Sequence, residues 1–249
     1  MENKQKLYVL KIGGKVLADE RQYQALLTSF AAVNAPKILV HGGGNKANEI
    51  LQKLGQTGQM VKGRRVTDAN ALEVVTMVYA GLLNKKLVAQ LQALGCNALG
   101  MSGADANAIQ AVKRPPKPFD YGWVGDIEMV NKSMIVKFLE LNITPVFSSI
   151  THDKKGQLLN TNADTVVTAL AVALAGDYEV HLRYHFDKIG VLNDAQNETS
   201  FFKTIHLADY RECQENGIIS EGMLPKLDNA FRAKAAGVHQ VFIGQTQIV

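Results

Sequence analysis

The chain has 249 residues, 47% hydrophobic and 20% charged, with a formal net charge of +4 at pH 7. That is enough chain to bury a large core, as one big α/β domain or as two lobes. No run reaches the roughly 18 apolar residues of a membrane span, and lysine and arginine are spread along the chain, which disfavours a dedicated nucleic-acid surface.

The first residues, "MENKQKLYVLKIGG", run directly into a strand without a signal-peptide layout. Cys96 and Cys213 lie far apart and match no metal-ligand spacing, so a reduced, cytoplasmic protein is expected. Residues 6–12 read as a strand, 19–33 as a helix, 37–41 as a strand and 44–54 as a helix. A long helix is predicted over 68–94, with Leu72, Val75, Val78, Leu82, Leu83, Leu87, Leu91 and Leu94 at helical spacing. A short strand follows at 97–101. "AIQAV" and "WVGDIEMV" read as two strands joined by the proline-rich loop "KRPPKPFDYG". A helix at 132–141, the strand "ITPVFSSI", the helix "ADTVVTALAVALAG" and the strand "YEVHLRYHF" come next. Helices near 205–215 and 223–236 precede a last strand, "HQVFI". The alternation predicts a three-layer α/β sandwich around a mainly parallel sheet. Its ligand loops should gather at the carboxyl ends of the strands.

Two of those loops are rich in glycine. Gly13 and Gly14 follow the first strand, and Gly42, Gly43 and Gly44 follow the second, immediately before a helix. A helix N-terminus offers unpaired N–H groups and the positive end of the helix dipole, and glycine lets an anion approach the backbone. The Walker pattern is absent. Gly42-x-Gly44-x-x-Ala47 meets the relaxed dinucleotide fingerprint. However, the region that should supply the ribose-binding acid is "VKGRRVTD", basic and not strand-like, so that match is weak.

Six segments occur in order: "KIGGK" (11–15), "VHGGGN" (40–45), "GRRVTD" (63–68), "NTNADT" (160–165), "FDKIGVL" (186–192) and "GMLPKL" (222–227). Together with "GLLNKKLVAQL" and "DYGWVGDI", they resemble the acetylglutamate kinases of the amino acid kinase superfamily over nearly the whole chain. The resemblance implies the amino acid kinase (carbamate kinase-like) fold. It also implies ATP-dependent phosphorylation of the γ-carboxylate of an N-acyl-L-glutamate, a step of arginine biosynthesis. Residues 1–175 would form the lobe for the acyl-amino acid and for dimerisation, and 176–249 the lobe for ATP. In-line phosphoryl transfer to a carboxylate needs positioning and charge neutralisation rather than a strong base. By resemblance, Lys11 serves the transferring phosphoryl group, Lys226 the nucleotide side, and Asp164 holds both ammonium groups. Arg65 grips the substrate α-carboxylate, Asn160 contacts the substrate, Asn162 supports that loop, and Gly43 and Gly44 bind oxygens through N–H groups. Gly13, Gly14, Asp187, Gly190, Gly222 and Met223 fall in the segments expected to meet phosphate or ATP. Mg²⁺ would arrive with ATP and bind mainly phosphate oxygens and water.

Three features depart from the family pattern. Phe186 stands where a hydroxyl residue commonly precedes the aspartate, on a strand that also carries His181, Arg183 and His185 at period two. Arg64 stands where an apolar residue commonly precedes the substrate arginine. With Lys62 nearby it could accept a second carboxylate, such as that of N-succinyl-L-glutamate, or point to solvent while an apolar pocket takes N-acetyl-L-glutamate. Only ten residues precede Lys11; a homodimer without inhibition by arginine is therefore expected. Other readings are a carbamate, aspartate or uridylate kinase of the superfamily, a non-catalytic ligand-binding relative, and a dinucleotide-binding oxidoreductase.

Overall fold

The computed structural model describes residues 4–61, 64–194, 196–216, 219 and 223–249. The chain opens with β1 (Lys6–Ile12), α1 (Glu20–Ala31), β2 (Lys37–His41) and α2 (Gly44–Lys53). Two short strands follow, β3 (Met60–Val61) and β4 (Arg64–Arg65). Next come α3 (Ala69–Thr76), a π-helical segment (Met77–Leu83), α4 (Asn84–Ala93) and β5 (Ala98–Met101). Then come β6 (Ile109–Lys113), β7 (Gly125–Val130), α5 (Lys132–Glu140), β8 (Thr144–Ser148), β9 (Ile150–His152) and β10 (Leu158–Asn160). The remainder is α6 (Ala163–Leu174), β11 (Glu179–His185), β12 (Thr204–Ile205), α7 (Leu207–Glu215), α8 (Leu224–Ala235), β13 (Gln240–Ile243) and β14 (Thr246–Ile248).

The main sheet has the order β12-β14-β13-β11-β1-β2-β8-β5, parallel throughout except between β13 and β14. Alternate residues of each central strand enter opposite cores. Val9, Val40, Leu182 and Val241 meet α6 and α8 on one face. Leu10, Ile12 and Leu39 meet Tyr23, Leu27 and Phe30 of α1 and Leu87 and Leu91 of α4 on the other. Burial on both faces explains why "KILVH" reads as a continuous apolar run. The predicted sandwich, mainly parallel with helices on both faces, is therefore observed.

Two expectations need correction. "ITPVFSSI" is not one strand: it splits after Ser148, and β9 enters a second sheet of order β10-β9-β6-β7. The hairpin partner β10 is three residues long and follows the polar turn "DKKGQ" (153–157), where the Asp153 side chain accepts from Lys155 N and Gln157 N. The long helix over 68–94 contains seven π-helical residues. An i→i+5 turn rotates the following face, so Val78 is followed inward by Leu83 rather than Leu82, which is half exposed.

Candidate active site

Three strand ends and three helix starts converge at one edge of the main sheet. Strand β1 lies between β2 and β11, with Lys11 opposite Val40 on one side and Tyr184 on the other. Its loop, Gly13–Gly14, therefore sits beside the triglycine loop after β2. Helices α2, α6 and α8 begin at the same edge.

At its centre, Asp164 holds two lysines on one carboxylate. Lys11 Nζ is 2.9 Å from Oδ1, and Lys226 Nζ donates to Oδ2 at 2.9 Å. The Lys11 contact is an ion pair without hydrogen-bond alignment. All three residues are buried. Burial pushes the Asp164 carboxyl up, but the two ammonium groups outweigh it and hold the group at about 2. Burial, helped by the Lys11 charge, pulls Lys226 down to about 8 against the attraction of Asp164. The Lys226 ammonium also lies 5.7 Å from the Tyr184 ring centre and 5.5 Å from that of Phe186. Phe186 thus walls one of the two lysines, a contact that a hydroxyl residue there would not supply.

Local chemistry fixes Asp164. Asn162 caps α6, its side chain accepting from Asp164 N at 2.8 Å and Thr165 N at 3.2 Å. Asp164 O accepts from Thr168 Oγ1 at 2.6 Å, and that hydroxyl also meets Tyr184 OH at 2.6 Å. Lys226 sits in the first turn of α8, where Pro225 suits a position that needs no N–H. Met223 caps that helix and packs on the main core; Gly222 lies outside the described residues.

Beside this centre, a pocket of about 180 Å³ is lined by Gly42–Gly44, Arg64, Arg65, Arg114, Asn160 and Asn162 among others. Arg65 is 6% exposed. Its Nη2 donates to Gly44 O at 3.1 Å and Asn48 Oδ1 at 2.5 Å, while Nε and Nη1 are buried without a partner among the described residues. A Cβ at Gly58 would meet Nη1, so a side chain there would push the guanidinium out of this position. Asn160 Nδ2 donates to Thr67 Oγ1 at 3.0 Å, and Thr67 Oγ1 donates to Arg65 O at 3.1 Å. The motifs "GRRVTD" and "NTNADT", 93 residues apart at this contact, are thereby joined.

The triglycine loop rests on the π-helical segment. A Cβ on Gly43 would come within 2.5 Å of Leu83 Cδ1 and 2.7 Å of Tyr79 Cδ1. His41 precedes the loop and is fully buried. Its Nδ1 donates to Gly42 O at 2.8 Å, so Nε2 accepts from Asn84 Nδ2 at 3.1 Å; Asn84 Nδ2 also reaches Val146 O at 2.8 Å. Burial, against the pull of the Gly42 carbonyl, lowers His41 to about 4 and keeps it neutral.

The remaining expected residues are more scattered. Asp187 Oδ2 accepts from Lys15 Nζ at 2.8 Å, a bridge between the loops after β11 and β1. Burial raises the Asp187 carboxyl, but Lys15 turns the balance and lowers it. Gly190 packs against Thr246 and Phe201, which explains its lack of a side chain without any ligand. Arg64 is exposed, and Lys62 lies outside the described residues. His181, Arg183 and His185 do share one partly exposed strand face, in a groove with Tyr8 and Phe242.

Sequence reasoning missed Lys15, Asn48, Gly58, Tyr79 and Arg114. Lys15 stood inside the quoted "KIGGK". Nothing local distinguishes Arg114 from the other cations of its loop; only the fold brings it to the pocket.

No described helix is long and apolar enough to cross a membrane. The acetylglutamate kinase of Cytophaga hutchinsonii is 49% identical over 244 residues, covering 98% of this chain and 92% of its own. That of Phocaeicola vulgatus is 49% identical over 240 residues, covering 96% and 93%. The crystal structure of smu.665 from Streptococcus mutans UA159 superposes with a TM-score of 0.83 at 28% identity, covering 98% of both chains. The profile of the amino acid kinase family matches residues 6–245, from the first strand of the main sheet to the turn before its last, a span that includes both lysines and Asp164. The chain therefore belongs to the amino acid kinase family.

Proposed function

We propose that this chain phosphorylates the γ-carboxylate of an N-acyl-L-glutamate with ATP, giving the acyl phosphate and ADP; its curated relatives carry the name acetylglutamate kinase. The observation that carries the reading is the Lys11–Asp164–Lys226 triad beside a pocket with unsatisfied arginine donors. A γ-carboxylate oxygen attacks the γ-phosphorus of ATP. The bond to the β,γ-bridging oxygen breaks, and ADP leaves with the electron pair. No proton moves, so no general base is needed.

In this proposal, Lys11 neutralises the transferring phosphoryl oxygens and Lys226 the nucleotide side, while Asp164 sets their spacing. Arg65 takes the α-carboxylate through Nε and Nη1. Asn160 and the N–H groups of Gly43 and Gly44 hold the substrate, with Arg64 at the rim. Gly13, Gly14, Asp187 and Met223 border the nucleotide, and Gly190 supports their loop. Asp164 is taken up by two lysines and is not a free metal ligand, so Mg²⁺ would be held by phosphate oxygens and water. Residues 1–175 form the lobe for the acyl-amino acid and 176–249 the lobe for ATP. The test is ADP release with L-glutamate, N-acyl-L-glutamates, carbamate, aspartate and UMP at fixed Mg-ATP. Turnover confined to the N-acyl-L-glutamates is expected; turnover with any of the others instead rejects the reading.

The proposal extends to a homodimer formed in a cytoplasmic setting. Met77 and Leu82 of the π-helical segment are 57% and 51% exposed, more apolar surface than a lone helix face needs. Light scattering should give twice the chain mass; a monomer would reject it.

A further inference from the structure

The pocket beside the triad carries more positive charge than one α-carboxylate can match. Arg64, Arg65 and Arg114 all line it, and no aspartate or glutamate does among its described lining residues. Arg65 has only neutral oxygens as partners. Arg64 forms no ion pair among the described residues.

Arg114 differs from both because it is held in place. Its Nε donates to Asp126 Oδ1 at 3.0 Å and to Oδ2 at 3.1 Å, and Nη2 also pairs with Asp126. Its guanidinium lies 5.5 Å from the Tyr121 ring centre. The opposite nitrogen, Nη1, is buried without a partner among the described residues. A buried, immobilised N–H with nothing to donate to costs free energy unless a ligand fills the role. Asp126 cancels one of the three charges. Two positive charges and one free donor remain; the α-carboxylate accounts for a single charge, because the γ-carboxylate is the reacting group and faces the two lysines.

We propose that the pocket selects an acyl group ending in a carboxylate, the half-amide of a short dicarboxylic acid. Arg114 Nη1 and Arg64 bind this second carboxylate, and Arg114 is a specificity-determining residue. An acetyl methyl in the same place leaves the buried Nη1 unpaired and Arg64 to solvent. The inference rests on the N-acylglutamate reading of this pocket and names the acyl class within it.

The test compares N-acetyl-, N-butyryl- and N-succinyl-L-glutamate on the full chain. Butyryl and succinyl have the same chain length and differ in a terminal methyl against a carboxylate, which separates charge from size. Two readouts are taken: kcat/KM at fixed Mg-ATP, and binding by calorimetry without nucleotide. Succinyl should exceed butyryl by roughly 10- to 100-fold in both, the scale of a charge-assisted hydrogen bond. Arg64→Leu and Arg114→Lys should each lower the succinyl-to-butyryl ratio about tenfold; the lysine keeps the charge beside Asp126 and loses the fork. Equal or better performance of acetyl or butyryl overturns the proposal, as does a ratio unmoved in both variants. If none of the three is phosphorylated, the kinase reading fails, and the calorimetric order alone decides the acyl class.

Discussion

The two ends of the cleft treat charge in opposite ways. At the triad, two lysines share one carboxylate, all three groups are buried, and the charges are largely answered within the protein. In the neighbouring pocket, Arg65 keeps two buried donors open and Arg114 one. A closed cluster keeps its geometry while charge moves through it, as a transfer step requires. An open cluster gains its partners only when ligand arrives, as a binding step requires. Damage at the first should therefore appear in kcat, and damage at the second in KM.

The largest effects should come from breaking the closed cluster. Lys11→Ala is expected to lower kcat by about 10²- to 10³-fold, the scale of one lost preorganised oxyanion contact. Asp164→Ala should do at least as much. It should also destabilise the fold by about 3–5 kcal/mol, because two buried ammonium groups lose their shared counterion. Steady-state kinetics and thermal melts measure both. A near-normal kcat for Lys11→Ala would remove the triad from the mechanism.

Next in size is the open cluster. Arg65→Ala should raise KM for the amino acid by roughly 10- to 100-fold, with a much smaller change in kcat, since the carboxylate it binds does not react. A loss concentrated in kcat instead would erase the distinction between the two ends.

The smallest effect sharpens the comparison through pH. Lys226 is lowered to about 8 by burial and by Lys11. A lowered pKa means the charge is lost sooner as pH rises, so kcat/KM for ATP should fall above about pH 8, approaching tenfold per unit. Lys226→Arg should retain its charge and carry the alkaline limb upward, whatever its absolute rate. A limb left at pH 8 in that variant would assign the titration to another group.

Much of the site could be read from the chain because its residues are tied to local signals. Asn162 and Asp164 open a helix, Gly42–Gly44 end a strand, and Lys11 lies two residues before a glycine pair. Such signals report where strands stop and helices start, and in a parallel sheet those points collect at one edge. The parallel core was legible for a related reason: strands buried on both faces need unbroken apolar runs.

The sequence by itself determined the layered class, the strands of the main sheet's centre and the motifs at its carboxyl edge, because these rest on periodicity and on spacing within a few residues. Tertiary structure alone decided the rest. It split the strand after Ser148 into two sheets, turned Leu82 outward through an i→i+5 turn, and set Gly43 against Tyr79 and Leu83. It also took Arg114 from a proline-rich loop and locked it on Asp126 at the pocket. Each of these depends on contacts between segments distant in sequence, where the deciding quantity is steric fit or the pairing of buried polar atoms, and no local pattern encodes either.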